Sequence, residues 1–305
     1  MNLMIIGGSG LLGSTTAFYA GTKGLFDKIY LLGTRQNIIT HHVMDMNQAL
    51  CPVSDTRIEA GKYEDIRHSD IILITAGMKE SPTQSRTANV RANFELMRKF
   101  AEQIKAYSKS PKPVICATNP VDVLNYSLYK LIGWPKKYFL GFGYNDTLRL
   151  RFALGEETGA PYKSFEAYVI GEHGENQVPL FEHILLEGKP FALDEALLTR
   201  VKTRIGSFFT VMQALDANRT SGWTSAVALT KLINALINET DEVIPCSAVL
   251  QGEYGQHNVS LGALTRLGKD GIKSIAELEL SKNSEAMMQK AADCAAKHIS
   301  SLGLE

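Results

Sequence analysis

The sequence predicts an α/β fold in which a doubly wound parallel sheet is followed by a mixed α+β domain. Five short apolar segments alternate with helical patterns in the first half of the chain, and strands that alternate with helices form parallel sheets covered on both faces. Long helical patterns occupy much of the second half. A length of 305 residues is enough for about two domains. We therefore expect a first domain over residues 1–140, a second over residues 141–305, and a cleft where they meet.

The five predicted strands are rich in Ile, Val, Leu or aromatic residues, as is typical of strands buried on both faces. They cover residues 3–6, 29–32, 71–75, 114–118 and 139–143. Between the third and the fourth, apolar residues recur every three or four positions from Val90 to Ile104, which predicts a helix. The elements expected in the second half are a strand over residues 166–170 and helices around residues 195–218, 222–239 and 283–301.

Charge balance and cysteine spacing narrow the class of protein. The chain has 32 basic and 32 acidic residues, whereas nucleic-acid-binding proteins usually carry a basic excess. The four cysteines lie far apart, which favours reduced thiols over disulfides or a zinc site. The sequence has no apolar stretch of about 18 residues and no N-terminal pattern typical of a signal peptide. We therefore expect a cytoplasmic protein with no nucleic-acid partner, no membrane span and no metal site.

The first predicted strand is followed by a glycine-rich turn that is typical of Rossmann-type dinucleotide sites. Gly8, Gly10 and Gly13 fit the pattern G-x-G-x-x-G, which allows a tight turn and a close approach of a pyrophosphate to the backbone. A helix that begins here presents its N-terminal amides and the positive end of its dipole to phosphates. Ser9 and Leu11 lie in the same turn, and we expect them to contact the cofactor as well.

The end of the second strand indicates which dinucleotide binds. NAD sites place Asp or Glu about 20 residues after the glycines to bind the ribose 2′-hydroxyl, but Gly33, Thr34 and Arg35 stand here. The Thr34 hydroxyl and the Arg35 guanidinium suit a 2′-phosphate. We therefore expect NADP to be preferred, with NAD possible. The alternative is that Arg35 is a solvated loop residue and that the site does not distinguish the two cofactors.

The same turn permits another interpretation. Gly7, Gly10 and Gly13 also fit the G-x-x-G-x-x-G pattern of short-chain dehydrogenases and sugar epimerases. Those enzymes use a Tyr-x-x-x-Lys pair, and Tyr126 and Lys130 have this spacing. However, leucines recur around this pair with helical spacing, which indicates an ordinary helix face.

Four further segments concentrate the groups that the oxidation of a 2-hydroxy acid needs. They contain, in chain order, Arg86, Asn119, Asp146 with Arg149, and His173. A histidine can take up the hydroxyl proton near neutral pH, and a buried carboxylate can orient its ring. One guanidinium can clamp the substrate carboxylate with two hydrogen bonds. A second cation, on a lid that excludes water, can polarise the C–O bond.

The order and spacing of these residues resemble the lactate/malate dehydrogenase family, and the resemblance covers nearly the whole chain. The matching motifs are Thr-Ala-Gly at residues 75–77, Asn-Pro-Val-Asp at 119–122, Asp-Thr-Leu-Arg at 146–149 and Gly-Glu-His-Gly at 171–174. The resemblance implies an enzyme that transfers a hydride between NAD(P) and C2 of an L-2-hydroxy acid or 2-oxo acid, assembled as a homodimer or homotetramer. The absent acid after the second strand resembles the NADP-using archaeal malate dehydrogenases.

The resemblance also implies a role for each candidate residue. His173 is expected to donate and accept the proton with Asp146 as its partner, although an aspartate here could also cap the following helix. Arg149 is expected to clamp the substrate carboxylate, Arg86 to polarise the carbonyl from the lid, and Asn119 to bind the substrate oxygen. The remaining expected contacts are Thr224 for the substrate and Thr75, Ala76, Gly77, Asn93, Thr118 and Asn119 for the cofactor.

The position that distinguishes substrates in this family, six residues before Arg86, holds Glu80. Malate enzymes have Arg there and lactate enzymes have Gln. A carboxylate at about 4 Å from the second carboxylate of oxaloacetate is repelled by about 4 kcal/mol at an effective dielectric constant near 20, or roughly a thousandfold. We therefore expect a 2-oxo acid with a neutral or cationic side chain. The alternative is a malate dehydrogenase in which the lid is shifted by one residue and Lys79 points inward.

Two remoter alternatives belong to other classes of protein. A catalytically silent dinucleotide-binding protein would not need Arg86, Asp146, Arg149 and His173, so their presence argues against it. A glycosidase of the type that uses NAD and a metal would need a Cys/His metal pair, and no such pair is evident in the sequence.

Overall fold

The structure of the protein, a computed structural model, describes residues 1–78, 86–217 and 221–304, with all side chains in these ranges except those of residues 86–88, 209 and 213. The helices of the described ranges are α1 (Leu11–Thr22), α2 (Gln36–Leu50), α3 (Arg86–Tyr107), α4 (Val121–Ile132), α5 (Tyr144–Thr158), α6 (Glu195–Ala214), α7 (Gly222–Asn238) and α8 (Lys282–Ser301). The strands are β1 (Asn2–Ile6), β2 (Lys28–Leu32), β3 (Arg57–Ala60), β4 (Ile71–Ile74), β5 (Val114–Cys116), β6 (Phe139–Gly141), β7 (Phe165–Glu166), β8 (Val169–Gly171), β9 (Gln177–Pro179), β10 (Leu185–Leu186), β11 (Lys189–Pro190), β12 (Val243–Gln251), β13 (His257–Gly268) and β14 (Gly271–Ala276).

The first half of the chain forms the predicted doubly wound parallel sheet. Strands β3, β2, β1, β4, β5 and β6 lie side by side in this order and run parallel. The α/β fold class is therefore confirmed, and the five predicted strands correspond to β1, β2, β4, β5 and β6. The strand order reverses between β1 and β4, and ligands of such sheets bind beyond the carboxyl ends of the strands at this switch point.

The sheet continues into the second half without a break. Strand β6 also pairs with β12 in antiparallel fashion, and β13, β8 and β9 follow, with β14 paired to β13. The mixed α+β organisation predicted for the second half is therefore present, but it extends the same sheet. The expected domain boundary between residues 140 and 141 falls within β6, and the boundary itself stays a prediction.

Some strands differ from the sequence-based expectation. The single strand expected over residues 166–170 is wrong, because β7 pairs with β10 in a small separate sheet while β8 pairs with β13 and β9. The long strands β12 and β13 are not predicted, since Pro245, Gly262 and several polar residues interrupt their apolar pattern although nearly all of their side chains are buried. Strand β3 is also missed because it lies at the sheet edge, where Ile58 is its one fully buried residue in the described structure.

Two hydrophobic cores cover the two faces of the sheet. Met4 and Ile6 of β1 belong to one core, whereas Leu3 and Ile5 belong to the other, as the alternation of side chains along a strand requires. Helices α3, α4 and α8 cover the first face, and α1, α2 and α7 cover the second. Both cores therefore join residues from the two halves of the chain. Among the described helices, the sequence nowhere combines the length and the apolar character that a membrane crossing needs.

Candidate active site

The glycine-rich turn joins β1 to α1 and leaves the N-terminus of α1 open to a ligand. Gly7 has a φ of +113°, a conformation that glycine adopts readily. Gly10 is the N-cap of α1, and within the described structure no side chain caps the helix and no acidic residue lies in its first turn. A Cβ atom at Gly13 would lie 2.6 Å from the carbonyl oxygen of Gly7, so the helix packs directly on the turn. This arrangement fits the pyrophosphate of a dinucleotide.

The end of β2 lies against the same turn. A Cβ atom at Gly33 would lie 2.7 Å from the hydroxyl oxygen of Ser9, and Gly8 packs directly on β2. Nη2 of Arg35 donates a hydrogen bond of 2.5 Å to the carbonyl oxygen of Ser9. Thr34 and Arg35 are both exposed. A cationic side chain therefore stands beside the phosphate-binding turn, where the sequence places the ribose end of the cofactor.

The segment that follows β4 lies beside the glycine-rich turn. The hydroxyl of Thr118 donates a hydrogen bond of 2.8 Å to the carbonyl oxygen of Ala76, and a Cβ atom at Gly77 would lie 2.7 Å from the Thr118 methyl group. Thr75 lies next to Gly7: a Cβ atom at Gly7 would lie 2.5 Å from the Thr75 hydroxyl oxygen. Thr75 and Ala76 therefore lie against the glycine-rich turn. Thr118 is linked to them through its hydrogen bond to Ala76.

Asn93, on α3, is buried and hydrogen-bonds to the backbone of the segments that follow β4 and β5. Its Oδ1 accepts a hydrogen bond of 2.7 Å from the backbone N–H of Met78, and its Nδ2 donates one of 2.9 Å to the carbonyl oxygen of Asn119. Asn119 itself is exposed and follows β5. The side chain of Asn93 thus links Met78, the first residue of the expected lid (residues 78–85), to the Asn-Pro-Val-Asp motif. The structure gives it this bracing contact in addition to the cofactor contact that the sequence predicts.

Asp146, Arg149 and His173 come together at the carboxyl end of β6. Asp146 and Arg149 face the same side of α5 because they are three residues apart, and Nη1 of Arg149 donates a hydrogen bond of 2.7 Å to Oδ1 of Asp146. Nδ1 of His173, after β8, lies 2.5 Å from Oδ2 of Asp146. All three side chains are largely buried. Helix α5 begins at Tyr144 with Gly143 as its N-cap, so the alternative that Asp146 caps the helix is wrong.

The surroundings of His173 favour its protonated form. Burial is the strongest influence and lowers the pKa of this imidazole, but the charge of Asp146 and its hydrogen bond to the ring raise it, with a further contribution from Asp122. The balance is a pKa above the ordinary value for histidine. Burial lowers the pKa of Arg149, yet a guanidinium stays charged at physiological pH. The cluster is therefore a carboxylate held between two cationic groups when His173 is protonated.

Three residues that the sequence analysis did not place in the site contact this cluster. Oδ2 of Asp122 accepts a hydrogen bond of 2.7 Å from the backbone N–H of His173. The ring of Phe142 meets the imidazole edge to face at a centroid distance of 5.6 Å. The guanidinium of Arg149 lies 4.5 Å from the ring centroid of Phe208 on α6. Only Asp122 carried a signal in the sequence, since it ends the motif at residues 119–122.

Helix α7 packs against α1, the helix that follows the glycine-rich turn. A Cβ atom at Gly222 would lie 2.8 Å from Cγ of Leu11, so the first turn of α7 packs on the first turn of α1. Thr224 lies in that turn and is half-buried. Tyr126, in contrast, is buried in the core, which argues against the short-chain dehydrogenase interpretation.

The residues expected on the lid fall largely outside the described structure. Lys79, Glu80 and the rest of residues 79–85 are not among the described residues, and Arg86 begins α3 but its side chain is not described. The polarising role of Arg86 and the discriminating role of Glu80 therefore stay predictions.

The fold and the cluster define a dehydrogenase that uses a nicotinamide dinucleotide and acts on small 2-hydroxy or 2-oxo acids. The family model for the NAD-binding domain of lactate/malate dehydrogenases matches residues 1–141, and the model for the α/β C-terminal domain matches residues 145–302. The chain belongs to the lactate/malate dehydrogenase family. The family resemblance seen in the sequence is thereby confirmed, and so is the expectation of an enzyme.

The curated relatives of this chain include malate dehydrogenases and L-lactate dehydrogenases. A malate dehydrogenase of Oceanobacillus iheyensis is 33% identical over 298 residues, which cover 94% of this chain and 93% of the relative. An L-lactate dehydrogenase of Clostridium perfringens is 28% identical and covers 100% of this chain and 98% of its own. The crystal structure of the minor L-lactate dehydrogenase from Enterococcus mundtii has a TM-score of 0.93 and 23% identity, with 100% and 99% of the two chains covered. This last likeness shows the shared fold.

Proposed function

We propose that the protein is an NADP-preferring 2-hydroxy acid dehydrogenase in which His173 moves the proton. The observation that carries the proposal is the 2.5 Å contact between His173 and Asp146, beside the guanidinium of Arg149. Because the contact with Asp146 engages Nδ1, the other ring nitrogen, Nε2, is the one that exchanges a proton with substrate. An imidazole, an orienting carboxylate and a guanidinium are the groups that a 2-hydroxy acid reaction needs.

In the direction of reduction, protonated His173 gives its proton to the carbonyl oxygen of a 2-oxo acid while C2 gains a hydride, and a 2-hydroxy acid results. The nicotinamide, when bound, supplies this hydride. Asp146 orients the ring and stabilises its charged form, and the raised pKa of His173 keeps the ring protonated closer to neutral pH. Arg149 binds the substrate carboxylate with two hydrogen bonds. Arg86 and Asn119 act on the carbonyl oxygen, as the family resemblance implies.

The preference for NADP is supported by the residues beside the phosphate-binding turn. Arg35 is exposed and anchored to the backbone of Ser9, and no acid follows β2 to bind a ribose 2′-hydroxyl. A guanidinium binds a phosphate dianion with charge-assisted hydrogen bonds, whereas an Asp or Glu would repel it. NAD binds more weakly in this proposal because it lacks the 2′-phosphate.

The proposed substrate is a 2-oxo acid whose side chain is neutral or cationic. Glu80 supports this through its position six residues before Arg86, since a carboxylate there repels a dicarboxylate. The second candidate is a malate dehydrogenase proper, with Lys79 turned toward the substrate. The second candidate is supported by the 33% identity to a malate dehydrogenase, and the first by the 28% identity to an L-lactate dehydrogenase over the whole chain.

Initial rates of NADPH and NADH oxidation with a panel of 2-oxo acids test the proposal. The panel contains oxaloacetate, pyruvate, bulkier neutral 2-oxo acids and cationic ones. We expect turnover with neutral or cationic acids, little with oxaloacetate, and a higher kcat/KM with NADPH. Oxaloacetate reduced as fast as any monocarboxylate contradicts the role of Glu80 and identifies the second candidate. An absence of turnover with every acid contradicts the proposed function as a whole.

We further propose a cytoplasmic homodimer or homotetramer. Apolar side chains on two packed helices support the assembly: Trp223 of α7 is 76% exposed, and Phe18 of α1 and Val227 of α7 are exposed as well. Trp223 and Val227 are four residues apart and therefore share one face of α7. Exposed apolar side chains that form a contiguous patch mark interaction sites.

A further inference from the structure

Asp122, on α4, contacts the loop that carries His173. The proposed function assigns no role to this residue. The residue is 2% exposed and lies in the first turn of α4. Its Oδ2 accepts a hydrogen bond of 2.7 Å from the backbone N–H of His173. Such a bond is charge-assisted and stronger than one between neutral groups. The side chain therefore holds the backbone of His173 in place, as Asp146 holds its ring.

A buried polar network fixes the helix that carries Asp122. One turn further along α4, Nδ2 of Asn125 donates a hydrogen bond of 2.8 Å to Oγ of Ser260 on β13. The hydroxyls of Ser260 and Ser247 lie 2.8 Å apart. All three side chains are fully buried, and hydrogen bonds in such a low-dielectric interior are stronger than in water. Asp122 thus stands on a helix that hydrogen bonds from Asn125 anchor to β12 and β13.

Asp122 is also a second carboxylate in the electrostatic field of the imidazole. Burial raises the pKa of Asp122 to about 6, against the opposing effects of the Ser247 hydroxyl, the His173 backbone N–H and the His173 charge. Glu172, the neighbour of His173, acts in the same sense as burial. At neutral pH Asp122 is therefore mostly ionised. Its negative charge raises the pKa of His173.

In the described structure, further ionisable groups around the imidazole lie on α5 and β12. Asp146 raises and Arg149 lowers the pKa of His173 from α5. Cys246 of β12 lines a small cavity together with Asp122 and His173. Burial raises the pKa of the Cys246 thiol to about 12, so it stays uncharged. The side chain of Arg86 lies outside the described structure.

We propose that Asp122 is a positioning residue that fixes the backbone of His173 and, through its charge, favours the protonated imidazole. The inference deepens the proposed function, since it rests on His173 as the group that moves the proton. The two roles separate by substitution. In Asp122→Asn the amide oxygen still accepts the backbone hydrogen bond, but the charge is gone. In Asp122→Ala both are lost.

The test is a titration of His173 by NMR in the intact protein labelled at its seven histidines, with the His173 signal assigned from a His173→Gln variant. This readout does not depend on activity. We expect Asp122→Asn to lower the pKa of His173 by about half a pH unit, and the alkaline limb of the reduction rate to move to lower pH by the same amount. We expect Asp122→Ala to lower kcat by about 10- to 100-fold as well, because the imidazole is displaced.

Two further variants serve as controls. Asp293→Asn makes the same chemical change on the exposed face of α8, and it leaves both the titration and kcat unchanged. Ser247→Ala removes a hydroxyl that lowers the pKa of Asp122, so it shifts the His173 titration in the same direction as Asp122→Asn but less. This variant decides the question if Asp122→Asn shows no cooperative thermal unfolding.

The outcomes separate this inference from the proposed function. A His173 pKa that does not fall in Asp122→Asn, or in Ser247→Ala where that variant is needed, overturns the electrostatic role. An unchanged kcat in Asp122→Ala overturns the positioning role. A wild-type protein that reduces none of the 2-oxo acids overturns the proposed function, whereas the NMR titration of Asp122→Asn still reports on the contact itself.

Discussion

The contact between Asp146 and His173 controls the protonation state on which the proposed reaction depends. Burial alone lowers the pKa of the imidazole, and Asp146 reverses this effect. Reduction needs the protonated ring, so its rate falls as the pH rises through the raised pKa of His173. Oxidation needs the neutral ring and therefore gains as the pH rises through the same value. The direction of the pKa shift thus favours reduction toward neutral pH.

Substitution of Asp146 tests this contact. Asp146→Asn keeps the side-chain shape but removes the charge, and the amide can hold the wrong tautomer of the ring. We expect kcat to fall by about a thousandfold or more and the alkaline limb of the reduction rate to shift to lower pH. Stopped-flow or steady-state rates between pH 5 and pH 10, at roughly one-unit steps around the ordinary histidine pKa, measure both effects. A pH limb that stays in place would show that Asp146 does not set the pKa of His173.

Arg35 is the residue on which cofactor choice depends. Arg35→Ala removes the guanidinium beside the phosphate-binding turn and leaves the glycines intact. We expect the Kd for NADPH to rise by about 10-fold or more, because a charge-assisted contact with phosphate is lost, while the Kd for NADH changes little. Quenching of protein fluorescence measures both constants. Arg57→Ala, an exposed arginine on β3, is the matched control, and equal losses for both cofactors in Arg35→Ala contradict the NADP preference.

At the residue scale, the sequence singled out those members of the cluster that lie in a motif. Asp146, Arg149 and His173 are separated in the sequence by up to 27 positions, yet two motifs singled them out, and the structure brings them together. Phe142 and Phe208 were missed because an aromatic residue in an apolar context gives no sign of the partner it contacts. Their contacts depend on how α5, α6 and the loop after β8 pack together.

At the scale of elements, the β1–α1 turn is the part of the fold that most directly serves the cofactor. Gly13 permits α1 to pack on the turn, since a Cβ atom there would lie 2.6 Å from the Gly7 carbonyl oxygen and 2.8 Å from the Thr75 hydroxyl. Because the nearer of these two neighbours is a backbone atom of the turn, the clash displaces the phosphate-binding amides.

Gly13→Ala is therefore expected to weaken binding of both cofactors and to reduce the free energy of unfolding by about 1–3 kcal/mol. Chemical denaturation and fluorescence titration measure the two effects. Gly206→Ala on α6 is the matched control, because a Cβ atom there meets nothing within 4 Å among the described atoms, and it is expected to stabilise the helix by about 0.5–1 kcal/mol. Normal NADPH binding by Gly13→Ala is inconsistent with the proposed turn.

The elements that the sequence predicts share one property, which is a continuous apolar run or a clear helical period. β1, β2 and β4 show such runs, and α3 shows the period. The antiparallel strands β12 and β13 mix Ser, Thr, Gly and Pro with apolar residues and are buried by tertiary packing. Neighbouring elements decide their strand structure, so the sequence pattern alone does not reveal it.

At the scale of the whole molecule, one continuous sheet joins the cofactor region to the catalytic cluster. β6 pairs with β5 on one side and with β12 on the other, and α5, which carries Asp146 and Arg149, follows β6 directly. The sequence predicted two halves with a cleft between them, but it did not reveal that a single sheet spans both. This shared sheet fixes the distance between cofactor turn and cluster.

The assembly is tested by sedimentation velocity at micromolar concentration. We expect the wild-type protein to sediment as a homodimer or homotetramer, since Trp223 and Val227 expose a shared apolar face of α7. Trp223→Glu places a charge on that face and is expected to shift the population toward the monomer. A wild-type monomer contradicts the proposed assembly.

The most direct test of the proposed reaction compares the wild-type protein with His173→Gln in NADPH-dependent reduction of the best 2-oxo acid of the panel. We expect wild-type turnover, and we expect the variant to lose about a thousandfold or more in kcat while its Kd for NADPH stays unchanged, because His173 contacts Asp146 and not the phosphate-binding turn. A His173→Gln variant that keeps the wild-type kcat would contradict the assignment of His173 as the proton donor.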